Sequence, residues 1–96
     1  MELLVTYDIA THDRAGERRL HRVAKICESY GLRVQYSVFE CRLSGAAHQH
    51  LIGELTAAID PRYDSVHLYR FHGKLQQARQ TLGQPPLTTV ADPWLV

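Results

Sequence analysis

Hydrophobic positions along this chain follow two rhythms, and the changes between them mark its elements. Leu3 to Tyr7, inside LLVTYDIA, is an almost unbroken apolar run closed by Asp8 and a polar loop. Such a run predicts a strand over Glu2 to Asp8, with Leu3, Val5 and Tyr7 on one face and Leu4, Thr6 and Asp8 on the other. Both faces stay apolar until the end, so cover is expected on both. Asp8 is lifted out at the carboxyl end, where it can meet solvent, a metal or a partner.

From Arg14 to Tyr30 the period lengthens to that of a helix. At about 100° per residue, Leu20, Val23, Ala24, Cys27 and Tyr30 cluster on one side. Arg14, Arg18, Arg22 and Lys25 fall within roughly 80° of one another on the opposite side, a basic stripe with Arg19 on its flank and Glu17 and Glu28 at its border. Thr11-His12-Asp13 offers capping residues, and Gly31 is placed to end the helix. Period two then returns in LRVQYSVFECRL, where Val34 and Tyr36 alternate with Arg33 and Gln35. A single strand of about a dozen residues exceeds the usual length, so two strands meeting at a tight bend near Ser37 are expected.

Ser44-Gly45 opens a second helix reaching about Ile59, with Leu51, Ile52, Leu55 and Ile59 on its apolar side and Asp60-Pro61 as its stop. His48 shares that side and reads as a core-edge histidine. SVHLYRF, Ser65 to Phe71, is the next strand, ended by His72-Gly73. A short helical turn from Lys74 to about Thr81 and a stiff Gly83-Gln84-Pro85-Pro86 connector lead into LTTVADPWLV. That tail is strand-like, broken by Pro93, and its apolar end is expected to dock on a second copy of the chain.

The order strand, helix, strand, strand, helix, strand defines an α+β class, a ferredoxin-like βαββαβ unit with one antiparallel sheet, both helices on one face and an extra C-terminal strand. One domain is expected over 1–96, with a core at 1–83 and a docking segment at 84–96. The uncovered sheet face predicts a homodimer through that face, burying roughly 800 Å² per partner if ordinary in size.

Composition narrows the function. Ninety-six residues with a formal net charge of +1 give no general attraction to nucleic acid, so binding of that kind has to come from a local patch; protonating all six histidines would change this. Cys27 and Cys41 lie far apart without CxxC spacing, which fits small core residues in a reduced cytosolic protein. The start of the chain carries Glu2 rather than a basic n-region, and no apolar run approaches the roughly 20 residues a membrane span needs. The chain reads as soluble, unexported and cytoplasmic, with no membrane partner.

Three pieces in order carry a resemblance: YDI at the end of the first strand, the Arg18-Arg19 pair in the first helix, and YGxRVQxSVFE from Tyr30 to Glu40. Together they closely resemble the small CRISPR-associated endonuclease family, the second adaptation protein that partners the CRISPR integrase. The match covers about the first 45 residues and continues less distinctively through the second helix and fourth strand. The resemblance implies a ferredoxin-like homodimer in which Asp8 of each subunit faces its twin across the dyad and binds a divalent metal. It also implies a role in acquiring new spacers and, for some members, nuclease activity.

Physical chemistry supports such a site. Magnesium commonly takes one or two carboxylates and keeps several waters, so two Asp8 side chains brought together by a dimer axis suffice for Mg²⁺ or another divalent cation. Without metal the paired carboxylates repel; with metal both are held ionised. The other reading of Asp8 is a cap or loop carboxylate beside the following helix. Arg14, Arg18, Arg19, Arg22 and Lys25 are the candidates for nucleic-acid contact, positioning a strand without reading its bases. Tyr7, Tyr36, Phe39 and Tyr69 read as core or dimer packing rather than stacking platforms, His67 and His72 as structural, and Tyr63-Asp64 as a loop without chemistry.

Two functions from different classes stay open at this point. One is a metal-dependent endonuclease of single-stranded RNA or of DNA. The other is a non-catalytic dimeric scaffold that binds duplex DNA and bridges integrase dimers. A toxin-like messenger-RNA nuclease of the same fold is a third.

Overall fold

The structure, a computed structural model, describes residues 1–86. The tail at 87–96, with the terminal strand and docking contact expected for it, lies outside the described residues. The elements run β1 Glu2–Asp8, α1 Arg14–Tyr30, β2 Gly31–Gln35, β3 Val38–Arg42, α2 Gly45–Ala58, β4 Ser65–Phe71 and a single turn α3 Leu75–Ala78. The strands form one sheet in the order β2-β3-β1-β4 with every neighbouring pair antiparallel. This is the α+β, ferredoxin-like arrangement expected.

Burial alternates along β1 as the sequence pattern requires. Leu3, Val5 and Tyr7 are buried, while Leu4 and Thr6 are half-buried. Val5 lies between Phe39 of β3 and Leu68 of β4, and the inward face carries Leu3, Val5, Tyr7, Phe39 and Cys41 against Val23 and Cys27 of α1 and Leu51 and Leu55 of α2. Both helices therefore share one face. Phe39, Leu3, Leu51, Val5 and Val23 are fully buried, each contributing about 1.5–3 kcal/mol relative to exposure.

Asp13 caps α1 through its carboxylate, which accepts from the Gly16 N–H at 2.8 Å, and Ser44 caps α2 through Ala47 at 3.2 Å. Gly31 ends α1 differently from expectation. Its φ of −166° is extended backbone, and it already begins β2. Glycine is needed there for space, because a Cβ would stand 2.3 Å from the Glu40 carbonyl oxygen. The bend at Ser37 is present as the Tyr36-Ser37 turn, and a register shift between Arg33 and Gln35 adds the local twist of a bulge.

The outer sheet face brings a second difference. Part of it is covered by the chain's own segment after β4, where Leu75 is buried. The Leu75 N–H donates to Glu2 Oε1 at 3.2 Å, and Arg79 pairs with Glu40. Between this strap and Leu4, Val38 and Phe71 lies an open groove of about 1030 Å³. A second subunit was the economical cover that the apolar pattern suggested, and nothing in the polar sequence of the strap announces its path.

Candidate active site

Asp8 stands at the last position of β1, opposite Ser65 of β4, and is exposed. The neighbouring residue is firmly held. The Tyr7 N–H donates to the Ser37 carbonyl at 3.1 Å and the Tyr7 hydroxyl to the Tyr36 carbonyl at 3.3 Å, so the β2–β3 turn is tied to the strand one residue before the acid. Burial pushes the Tyr7 hydroxyl above its ordinary pKa against the opposing pull of Arg33, which keeps it a neutral donor.

Asp8 lines a hollow of about 520 Å³ with Tyr7, Glu17, His21, Arg33 and Tyr36 among its walls. Among the described residues its carboxylate makes no hydrogen bond or ion pair, and the helix cap is Asp13, so the cap reading of Asp8 does not hold. Glu17 and His21 are additions the sequence reading did not weigh as part of this site. At about 100° per residue His21 falls about 20° from Arg14, so their direction was available from the helical wheel. Among the described residues no group of three or more His, Cys, Asp or Glu gathers to hold a metal. Asp8 and Glu17 are the carboxylates that line this hollow, which fits a magnesium-type cation that retains waters and takes one or two protein oxygens, and does not fit a cation needing a full protein cage.

The basic candidates divide in two. Arg14, Arg18, Arg22 and Lys25 are exposed along one side of α1, together with Glu17 and His21. Lys25 pairs with Glu28 at 3.6 Å, whereas Arg14, Arg18 and Arg22 have no carboxylate partner among the described residues. Arg19 turns inward instead. Its Nε donates to Asp64 Oδ2 at 2.7 Å, with side chains 17% and 0% exposed, so the guanidinium is engaged by the protein itself.

Asp64 is thereby the residue the sequence reading passed over as a loop position without chemistry. Its carboxylate accepts from Arg19, from the Asp60 N–H at 2.8 Å and from the Ala10 N–H at 3.0 Å. Burial alone pushes its pKa up, but the Arg19 guanidinium and the two backbone donors outweigh burial and hold the carboxyl below the usual range. Burial raises the thiols of Cys27 to about 12 and Cys41 to about 11; both are free, buried and unreactive. Of the aromatic residues, Tyr7 and Phe39 stack within the core, while Tyr36 and Tyr69 are exposed, as are His67 and His72. His48 is buried on α2, as its place on the helix predicts.

Fold and site together define a small ferredoxin-like domain with an open strand-end aspartate beside a cationic helix. The family described as CRISPR associated protein Cas2 matches residues 1–79, and the chain belongs to that family. It is 40% identical over 93 residues to the CRISPR-associated endonuclease Cas2 of Halalkalibacterium halodurans, covering 97% of each chain. With the CRISPR-associated endoribonuclease Cas2 of Chlorobaculum tepidum it shares 48% identity over 79 residues, 82% of this chain and 81% of the relative. Among solved structures, Streptococcus pyogenes Cas2 at pH 6.5 superposes with a TM-score of 0.79 at 44% identity, over 86% of this chain and 100% of that one. No described helix is long and apolar enough to cross a membrane.

Proposed function

We propose that the chain is an endonuclease subunit of the CRISPR spacer-acquisition machinery, hydrolysing a phosphodiester of RNA or DNA as a homodimer, with Asp8 as catalytic residue and as ligand of Mg²⁺ or another divalent cation. The observation that carries this reading is an exposed carboxylate, free of any protein partner among the described residues, at the end of a strand whose preceding residue is tied down. The endonuclease and endoribonuclease names of the relatives support it. A cation bound there supplies positive charge against the charge that builds on the phosphate. Asp8 of each subunit would hold such a cation; as water adds to phosphorus the bond to the leaving oxygen breaks, one Asp8 carboxylate can accept the proton of the water, and the leaving oxygen takes a proton from solvent. Arg14, Arg18 and Arg22 hold the phosphate backbone without reading sequence. The integrase is the proposed protein partner, and two buried free cysteines fit a cytoplasmic setting.

The test is cleavage of RNA and DNA by purified protein in Mg²⁺, comparing wild type with Asp8→Ala. Loss of cutting in the variant supports the proposal; equal residual cutting points to a contaminant. That second result would favour the other reading, a non-catalytic dimeric scaffold that holds duplex DNA and bridges integrase dimers. Arg14, Arg18 and Arg22 on α1, exposed and without a carboxylate partner among the described residues, are the observation in its favour, because they serve duplex binding whether or not Asp8 acts.

A further inference from the structure

We infer that Asp64 and Arg19 form a positioning pair for Asp8, gripping the peptide backbone two residues beyond it so that the carboxylate is presented to a divalent cation in a fixed direction. The inference rests on the proposed reading of Asp8 as a metal ligand.

The grip closes on Ala10 from two segments, the loop ahead of β4 and helix α1. Asp64, ahead of β4, takes the Ala10 N–H on Oδ1 at 3.0 Å. Arg19, from α1, directs Nη2 to the Ala10 carbonyl oxygen at 3.5 Å and to Asp64 Oδ1 at 3.5 Å, while its Nε is bound to Oδ2 at 2.7 Å. Gly16, in the first turn of α1, presses on the same carbonyl, where a Cβ would come to 2.0 Å of the oxygen. The Asp60 N–H at 2.8 Å fixes Asp64 in turn. Donor and acceptor of one residue, Ala10, are both held, by an ion pair whose acid side chain is wholly buried.

Stability alone is a poor reason for that arrangement. A buried ion pair is often no better than apolar packing of similar volume, so its value lies in fixing a unique geometry. At the other end of the acid, Tyr7 is fixed through its N–H and hydroxyl to the β2–β3 turn. Asp8 is thus free at its side chain and held on both sides along the backbone, which is the role outer residues play for metal ligands.

The test is Mn²⁺ titration, followed by the electron paramagnetic resonance of the free ion, on wild type, Asp64→Asn, Arg19→Lys and Leu51→Ala. Arg19→Lys keeps a cation but cannot fork between Asp64 and Ala10. Leu51→Ala loosens the core on α2 and removes none of the hydrogen bonds of this grip. Both grip variants are expected to bind Mn²⁺ roughly tenfold or more weakly, while duplex affinity measured in chelator stays at the wild-type value. Leu51→Ala is expected to keep wild-type Mn²⁺ affinity below its unfolding temperature. Unchanged Mn²⁺ affinity in the grip variants, or an equal loss in Leu51→Ala, overturns the inference while leaving Asp8 a ligand. If Asp64→Asn does not fold, Arg19→Lys decides by the same readout. Absence of Mn²⁺ binding by wild type overturns the metal reading of Asp8 and the inference with it.

Discussion

Asp8 and Asp64 are neighbours in the fold and opposites in chemistry. Asp8 faces Ser65 across the β1–β4 ladder, and Asp64 immediately precedes that serine. Asp64 is wholly buried and accepts from a guanidinium and two backbone N–H groups; Asp8 is exposed and, among the described residues, accepts from none. A carboxylate whose lone pairs are filled by the protein serves the fold, and one whose lone pairs are left open has them to give to a ligand. The same end of the sheet therefore carries a closed acid that fixes the backbone and an open one left to a ligand.

The contrast is broken most sharply by exchanging effects. Asp8→Asn is expected to cut Mg²⁺-dependent cleavage by about 1,000-fold, the equivalent of several kcal/mol of charge stabilisation at the phosphate. Its unfolding free energy should stay within about 0.5 kcal/mol of wild type, because the carboxylate is exposed and makes no hydrogen bond or ion pair among the described residues. Single-turnover cleavage and urea unfolding on the same preparation check both halves. Asp64→Ala reverses the pattern at its first step, leaving Arg19 unpaired in a largely buried position and destabilising the fold by about 3–5 kcal/mol. Calorimetry should register this as a Tm lower by upward of about 12 °C.

Acid sharpens the same comparison with a smaller effect. The carboxyl of Asp64 ionises below its ordinary range in the folded state, so between that point and about pH 4 the unfolded chain binds more protons than the native one. Its contribution is full above about pH 4 and drains away as pH falls further. Asp60, held to about 2 by its hydrogen bonds from Arg62, and Glu2, lowered mainly by Arg42, act in the same direction. Urea midpoints measured from pH 6 down to pH 2 should fall more steeply for wild type than for Asp64→Asn; parallel curves would remove Asp64 from the acid response. The smallest expected change is in the salt response of nucleic-acid binding. Arg18→Ala combined with Arg22→Ala should flatten the slope of log affinity against log salt by about 1.8 for each subunit whose stripe is engaged, at about 0.9 per phosphate contact, with stability unchanged. An unaltered slope would take the stripe out of the interface.

What the amino-acid pattern made legible was whatever depends on near neighbours. The alternation in Leu3, Val5 and Tyr7, the wheel of Val23 and Cys27, the caps at Asp13 and Ser44 and the bend at Ser37 are all local, and the structure has them. Asp8 was legible as an acid ending an apolar run, and three ordered motifs tied it to a family. Asp64 was not, since its partners Arg19 and Ala10 lie 45 and 54 positions away and only the closed sheet brings them together. Arg19 was half legible: its wheel position lies about 40° from buried Val23 and about 60° beyond the edge of the stripe, which already set it apart from Arg14, Arg18 and Arg22. Gly31 read as a helix stop because glycine usually is one; the need was room for the Glu40 carbonyl, a contact across the hairpin. The strap from Leu75 to Arg79 crosses the outer face on two polar ties that no periodicity encodes.

The most direct test of an open acid awaiting a cation is a crystal of the protein grown with Mn²⁺ and measured for anomalous scattering. The expected result is a Mn²⁺ peak between two copies related by a twofold axis, with Asp8 oxygens from both bonded to the ion. Asp8 side chains turned apart into bulk solvent, with no anomalous peak at either, would contradict it.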